Sequence, residues 1–271
     1  MVGYLLGGGY SIFARSLGLG INAVRSMTVV DGHGEIHRWD LAEIRELFAD
    51  AWRERVDPGI VTEVTLEATS ARPLTAGGFC VVGARVRELM QVFCGWAEEL
   101  PEDATCSLGV MRRPSGPVVG HVRLTATGDR GPVMAVVDRL RSRFPVTEDD
   151  GFDIGWDDPG RIYREPASAR PYVGDNLVST SAPDLDAFWS ALSGEDGGPV
   201  ILDLRQIGGQ TAHPDRDGLS APGQWVTGLV APTTDARQEV DAEGVTRLLA
   251  AAVPEALGSA ENFTYGVGAG W

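Results

Sequence analysis

Two stretches of this 271-residue chain would put chemically active side chains on one face of a strand. In GHVRLTAT, His121, Arg123 and Thr125 alternate with Val122 and Leu124. In VILDLRQIGG, Asp203 and Arg205 alternate with Leu202 and Leu204. Successive side chains of a strand point to opposite faces, so each polar set shares a surface. An imidazole, a carboxylate and two guanidiniums meeting in a pocket could hold a polar group of a ligand and move protons. The same alternation also marks the solvated side of a half-buried sheet, and sequence does not show whether the two strands are neighbours.

Other chemistries are narrowed by residue type. Every one of the 23 basic residues is Arg and there is no Lys, which excludes Schiff-base chemistry, a Walker-type Lys and a Ser–Lys dyad. No G-x-S-x-G nucleophile elbow is present. His33 and His37 flank a hairpin turn without a third ligand, and His213 lies on a loop in TAHPDRDG, so no metal site is expected. EDDGFDIGWDD lacks the spacing and closing Glu of a calcium loop and reads as an acidic surface loop. Cys80, Cys94 and Cys106 are odd in number with no C-x-x-C, as expected of buried thiols in a cytoplasmic protein. The net charge of −15 argues against nucleic acid or an anionic membrane as partner. No stretch has the apolar length of a membrane span or the order of a signal peptide.

The elements that must position these residues follow from periodicity. AVRSMTVVDGHGEIHRW reads as a hairpin, DLAEIRELFADAWRER as a helix with Leu41, Ile44, Phe48 and Trp52 on one face, and GIVTEVTLEAT as a strand. SARPLTAGG has the punctuation of a linker, which places a boundary near residue 70. Beyond it come a strand (GFCVVGA), a helix whose inner face is Val86, Leu89, Met90, Phe93 and Trp96, two strands (ATCSLGVMR, PVVGHVRLTAT) and a helix with Pro132 in its first turn. A helix at DLDAFWSAL, strands at PVILDLRQIGG and QWVTGLVAP, and a final helix at EGVTRLLAAAV complete the pattern. This predicts an α+β fold: an antiparallel sheet covered on one face by helices. The other face must meet the N-terminal unit, a ligand or a partner.

The opening GYLLGGGYSIFARSLGLGIN carries Gly7, Gly8 and Gly9 in a row, and Gly18 and Gly20 beyond. It lacks the dinucleotide fingerprint, because no strand precedes it and the spacing is not G-x-G-x-x-G. Together with VDGHGEI, LFADAWRERVDPGIVTEVTLEAT, ILDLRQIGGQTA and AENFTYG, it resembles the berberine bridge enzyme-like oxidoreductases. These are flavoproteins of the vanillyl-alcohol-oxidase (PCMH) type. The resemblance implies a remnant of a PCMH-type FAD-binding subdomain at 1–70 and a substrate domain at 71–271, whose antiparallel sheet roofs the flavin in the family. Two departures stand out. Met1 directly precedes VGYLLGGG, so the family's first FAD-binding half, with its pyrophosphate loop, is expected to be missing. Where the family has glycines and then Asn-Phe-Gly, this chain has Arg53, Glu54, Arg55 and Val56 followed by Asp57–Pro58. Long charged side chains would fill the cofactor's space, and Pro58 removes a backbone donor. The glycines would then survive as a packing feature.

Read this way, the chain is expected to use no cofactor and to act as a cofactor-independent cyclase or isomerase of natural-product biosynthesis on a small apolar organic substrate. The alternatives are an FAD-dependent oxidoreductase whose missing half comes from a partner chain, and a non-catalytic pseudoenzyme that binds a ligand or partner. The catalytic candidates are His121, Asp203, Arg205 and Tyr265. Tyr265 rests on the resemblance alone: the family often uses a Tyr base, and this one follows Asn262–Phe263 rather than preceding it. Arg123, Tyr163, Tyr172 and Trp225 are the substrate-binding candidates, with Tyr163 and Tyr172 on RIYREPASARPYVG, an expected lid. A wall left bare by the missing half predicts a homo-oligomer, expected as a dimer.

Overall fold

Alternating strands and one-sided helices sort into two antiparallel sheets in the computed structural model, which describes residues 1–49, 57–112, 116–164, 172–193, 200–213, 219–232 and 242–264. The N-terminal part contains α1 (Val2–Leu6), α2 (Ala14–Leu17), β1 (Val24–Val30), β2 (Ile36–Trp39), α3 (Leu41–Leu47) and β3 (Ile60–Leu66). Its sheet has the order β2-β1-β3. Helix α3 starts at Asp40, whose side chain accepts from the Ala42 and Glu43 N–H groups while Glu43 reaches back to the Asp40 N–H, a capping box. Ile44 and Phe48 are its buried contacts; Trp52 and the replacement residues Arg53 to Val56 lie outside the described residues.

The larger part runs β4 (Thr75–Val82), α4 (Arg85–Ala97), β5 (Ala104–Arg112), β6 (Val119–Ala126), α5 (Arg130–Arg143), β7 (Val146–Asp149) and α6 (Gly160–Tyr163). It continues with β8 (Tyr172–Ser179), α7 (Asp186–Ser193), β9 (Val200–Gln206), β10 (Trp225–Pro232), α8 (Ala242–Ala252) and β11 (Ala256–Gly258). Among the described residues the sheet order is β11-β8-β10-β9-β5-β6-β4-β7, and each pair is antiparallel. The α+β expectation therefore holds. Helices α4, α5, α7 and α8 cover one face, and all five expected inner residues of α4 are buried there. Burial of this aliphatic face is the main source of stability, at roughly 25 cal/mol per Å² of apolar surface removed from water.

Strands β7 and β8 escaped the sequence reading. In β8, Gly174, Asp175 and Asn176 interrupt the apolar alternation, yet Asn176 is fully buried because it donates to the Ala260 carbonyl and accepts from the Ala260 N–H. The segment read as an acidic surface loop begins as β7 and goes on to bury Phe152 and Ile154, while Glu148 and Asp150 pair with Arg164. No helix among the described residues is long and apolar enough to cross a membrane. Cys80 and Cys106 are buried free thiols, and Cys94 is half-buried.

The second face of the large sheet is shared. One part meets the N-terminal elements: Leu19, Ile21, Val24 and Met27 cluster with Val178, Ile207, Val226 and Ala260. Arg15 fastens the contact. Its Nε donates to the Ala104 carbonyl at 2.7 Å and its Nη1 to the Ile207 carbonyl at 2.9 Å, bridging α2 to the β5 and β9 ends. What remains of this face is open.

A polar-floored cleft on the open face of the sheet

The open area is a cleft of about 740 Å³ between β5, β6, β9 and β10, with Tyr10–Ile12 and Phe263 along one wall. Its floor is set by register. Gly109 of β5 stands opposite both His121 of β6 and Asp203 of β9, and Ser107 stands opposite both Arg123 and Arg205. Two adjacent rows thus run across three strands, His121–Gly109–Asp203 and Arg123–Ser107–Arg205. The missing side chain at Gly109 matters here. A Cβ at that position would lie 3.1 Å from the Arg123 Nη2, so the guanidinium lies across the floor in the space glycine leaves. It reaches Asp203, donating to its Oδ1, while Arg205 donates to Oδ2 at 3.3 Å.

Aromatic rings close over this triad. The Tyr163 ring sits over both guanidiniums, 4.3 Å from Arg123 and 5.1 Å from Arg205, and its hydroxyl is 3.2 Å from Ser107 Oγ. Phe263 lies 4.5 Å from the Arg205 guanidinium on the opposite wall. Stacking of this kind favours Arg over Lys, because the planar guanidinium presents a face to the ring. Helix α6 ends at Arg164, which has positive φ and is held by Glu148 and by Asp150 at 3.1 Å. That anchor keeps Tyr163 over the floor.

The electrostatics follow from burial and from these partners. Burial alone would raise the Asp203 pKa, but the charges and hydrogen bonds of Arg123 and Arg205 outweigh it and hold the carboxyl below its ordinary value. Asp203 is an ion-paired anion at neutral pH and a poor general base. Burial pushes the His121 pKa down to about 3, helped by Arg123 and Arg164 and opposed by Asp203. His121 is therefore a neutral imidazole, and its Nε2 is buried without a hydrogen-bond partner. Arg123 Nε and the Tyr10 hydroxyl are likewise buried and unpartnered.

The sequence candidates divide as follows. His121, Arg123, Asp203, Arg205, Tyr163 and Tyr172 all line this cleft. Trp225 does not, which corrects its assignment. It is 1% exposed and packs on the helix-covered face, 6.3 Å from Phe93. Alternation along β10 turns Val226, Gly228 and Val230 toward the cleft and Trp225 away from it. Tyr265 lies outside the described residues, as does the segment between Arg164 and Tyr172. His213 is exposed on a turn, and His37 bonds Asp31, whose other oxygen accepts from the His33 and Glu35 N–H groups. Tyr10, Phe263 and Arg164 were missed. Tyr10 and Phe263 stood beside quoted motif residues, but their approach to β9 comes from the return of the chain's two ends to one sheet.

Solved structures with the same arrangement of strands and helices span 96% of the chain for BBE-like 1 of Physcomitrella patens, at TM-score 0.71 and 17% identity. The chain has the berberine bridge enzyme-like fold. The 6-hydroxy-D-nicotine oxidase of Arthrobacter nicotinovorans matches over 96% at TM-score 0.69 and 19% identity, and the berberine bridge enzyme of Eschscholzia californica over 93% at 0.61 and 16%. The chain spans 61%, 60% and 54% of the length of these three proteins. No protein-family model and no curated relative matches the sequence.

The resemblance read from the sequence implies FAD, which bears on whether the glycines form a flavin cradle. A phosphate cradle needs backbone N–H groups free to point at the anion. Here the Gly7 and Gly8 N–H groups donate to the Gly3 and Leu5 carbonyls, and those of Gly9 and Tyr10 both donate to Asn262 Oδ1. Gly9 has φ +80°, and a Cβ there would lie 2.7 Å from Gly20 Cα. The glycines are thus filled by the chain's own Asn262, Gly20 and Tyr4, and they do not fit a pyrophosphate cradle.

Proposed function

We propose that the cleft binds a small, largely apolar organic molecule and turns it over by cofactor-independent isomerisation or cyclisation. The carrying observation is the arrangement of the cleft: aliphatic and aromatic walls with convergent polar groups confined to the floor. Such a reaction is redox-neutral: solvent at the open side of the cleft takes a proton from one atom of the substrate and returns one to another, and no electron acceptor is needed. Arg123, Arg205 and the Tyr163 hydroxyl are placed to stabilise negative charge developing on a substrate oxygen, which is often the largest contribution to catalysis. Tyr163 and Phe263 exclude water from that end. His121 is a neutral partner for the same oxygen, and Asp203 orients the two guanidiniums.

The test uses an enolisable bicyclic ketone, 2-tetralone, in deuterated buffer. Proton exchange at its α-carbons, followed by NMR, is expected at least about tenfold above buffer and lost in Arg205→Met. The visible spectrum of the purified protein after incubation with FAD and gel filtration decides against a second reading, an FAD-linked oxidoreductase, which the fold neighbours support. A retained flavin band would replace our reading with that one. Exposed Ile36, Ile60 and Leu66 on the small sheet support self-association as a homodimer, which light scattering at micromolar concentration tests.

A further inference from the structure

Three buried polar atoms on the residues lining the cleft have no hydrogen-bond partner: the Tyr10 hydroxyl, His121 Nε2 and Arg123 Nε. Leaving such groups unsatisfied costs about 1–3 kcal/mol each, so three of them on residues that line one cleft point to a molecule that completes them. Their chemistry says what kind. Arg123 Nε–H can only donate, a phenol donates readily, and a neutral imidazole donates from Nε2 in one of its tautomers. Burial raises the Tyr10 pKa, keeping its proton in place. The complement is a group rich in acceptors and poor in donors.

Charge points the same way. The described residues lining the cleft include three guanidiniums, Arg123, Arg164 and Arg205, and one carboxylate, Asp203. Arg164 is matched outside the cleft by Glu148 and Asp150. Arg123 is 7% exposed and meets Asp203 in a pair whose carboxylate also serves Arg205. Among the described residues lining the cleft, guanidiniums thus outnumber carboxylates in a protein of net charge −15. The walls add the second half of the recognition: the lining includes four aromatic side chains, Tyr10, Tyr163, Tyr172 and Phe263, suited to a flat, apolar frame.

We infer that the molecule this cleft recognises is an aromatic carboxylate, with its carboxylate received by Arg123, His121 and Tyr10 and its fused rings held among the cleft's aromatic side chains. The inference rests on the reading of the cleft as a ligand site and specifies its substrate class. A carboxylate supplies two oxygens and about four lone-pair directions, enough for the three unpartnered donors together.

Calorimetric titration of the full chain with sodium 2-naphthoate and with 2-naphthamide, an uncharged near-isostere, tests it. We expect one molecule bound per chain, with 2-naphthoate at least about tenfold tighter than the amide. That preference should shrink by about three- to tenfold in Tyr10→Phe and in His121→Asn, both of which keep ring or shape. Equal affinity for the two probes overturns the inference while leaving the ligand cleft standing. Binding of neither at millimolar concentration overturns both. A carboxylate preference unchanged in both variants overturns the assignment of these donors. Because the decisive comparison uses two probes on the unaltered protein, it does not depend on any variant folding.

Discussion

At the scale of single residues, His121 makes the cleft's electrostatics measurable. Its folded pKa of about 3 lies below the unfolded value of about 6.5, so the unfolded chain takes up the proton first as pH falls. The stabilisation is complete above about pH 6.5 and is lost on acidification toward the folded pKa, with a limiting slope of about 1.4 kcal/mol per pH unit. Urea unfolding at pH 7.5 and 5.0 should therefore show the wild type losing about 1–2 kcal/mol more than His121→Gln over that interval. Equal losses would mean that the imidazole is solvated or already paired. Asp203 moves the other way in role: 26% exposed and shared by two guanidiniums, it is a positioning group rather than a proton carrier.

At the scale of elements, two contacts decide whether the cleft exists. Arg15 holds α2 against the ends of β5 and β9 through two buried carbonyls, with no acidic side chain among its hydrogen-bond partners. Replacing it with Met leaves both carbonyls unpaired, and we expect a loss of about 2–4 kcal/mol in urea unfolding. Hydrogen exchange should rise across β1 to β3 while β4 to β6 keep their protection. Gly109 acts at the centre of the floor. In Gly109→Ala the new methyl would press on the Arg123 guanidinium, the mobile end of a long side chain, so stability should change by less than about 1 kcal/mol. Affinity for 2-naphthoate should nevertheless fall about three- to tenfold, read by calorimetry, because the floor's donors move.

At the scale of the whole molecule, the large sheet separates stability from recognition. Its helix-covered face is mainly aliphatic and aromatic, with Cys106, Gln206 and Thr227 buried among those side chains, and its other face carries the charged rows. Trp225 belongs to the first face, so Trp225→Phe should cost about 1–3 kcal/mol of stability and leave 2-naphthoate affinity within twofold of wild type. A large affinity loss would put that ring back in the cleft. Much of this was legible beforehand. Strict alternation in GHVRLTAT and VILDLRQIGG assigned faces, and 3.6-residue periodicity named the inner face of α4, because both patterns depend only on local geometry. Strand β8 stayed hidden because its Gly-Asp-Asn centre breaks the alternation, and Asn176 finds its side-chain partners in Ala260 and Thr264, 84 and 88 residues away. The side of β10 on which Trp225 falls was equally invisible, since an isolated strand does not say which of its faces meets the helices. By itself, then, the sequence determined most of the elements, the α+β class and which polar residues share a face. Only the tertiary structure decided that β5 lies between β6 and β9, bringing His121, Arg123, Asp203 and Arg205 onto one floor. The reason is physical: strand order is set by long-range pairing and by burial of the aliphatic face, and neither is encoded in the period of any one segment.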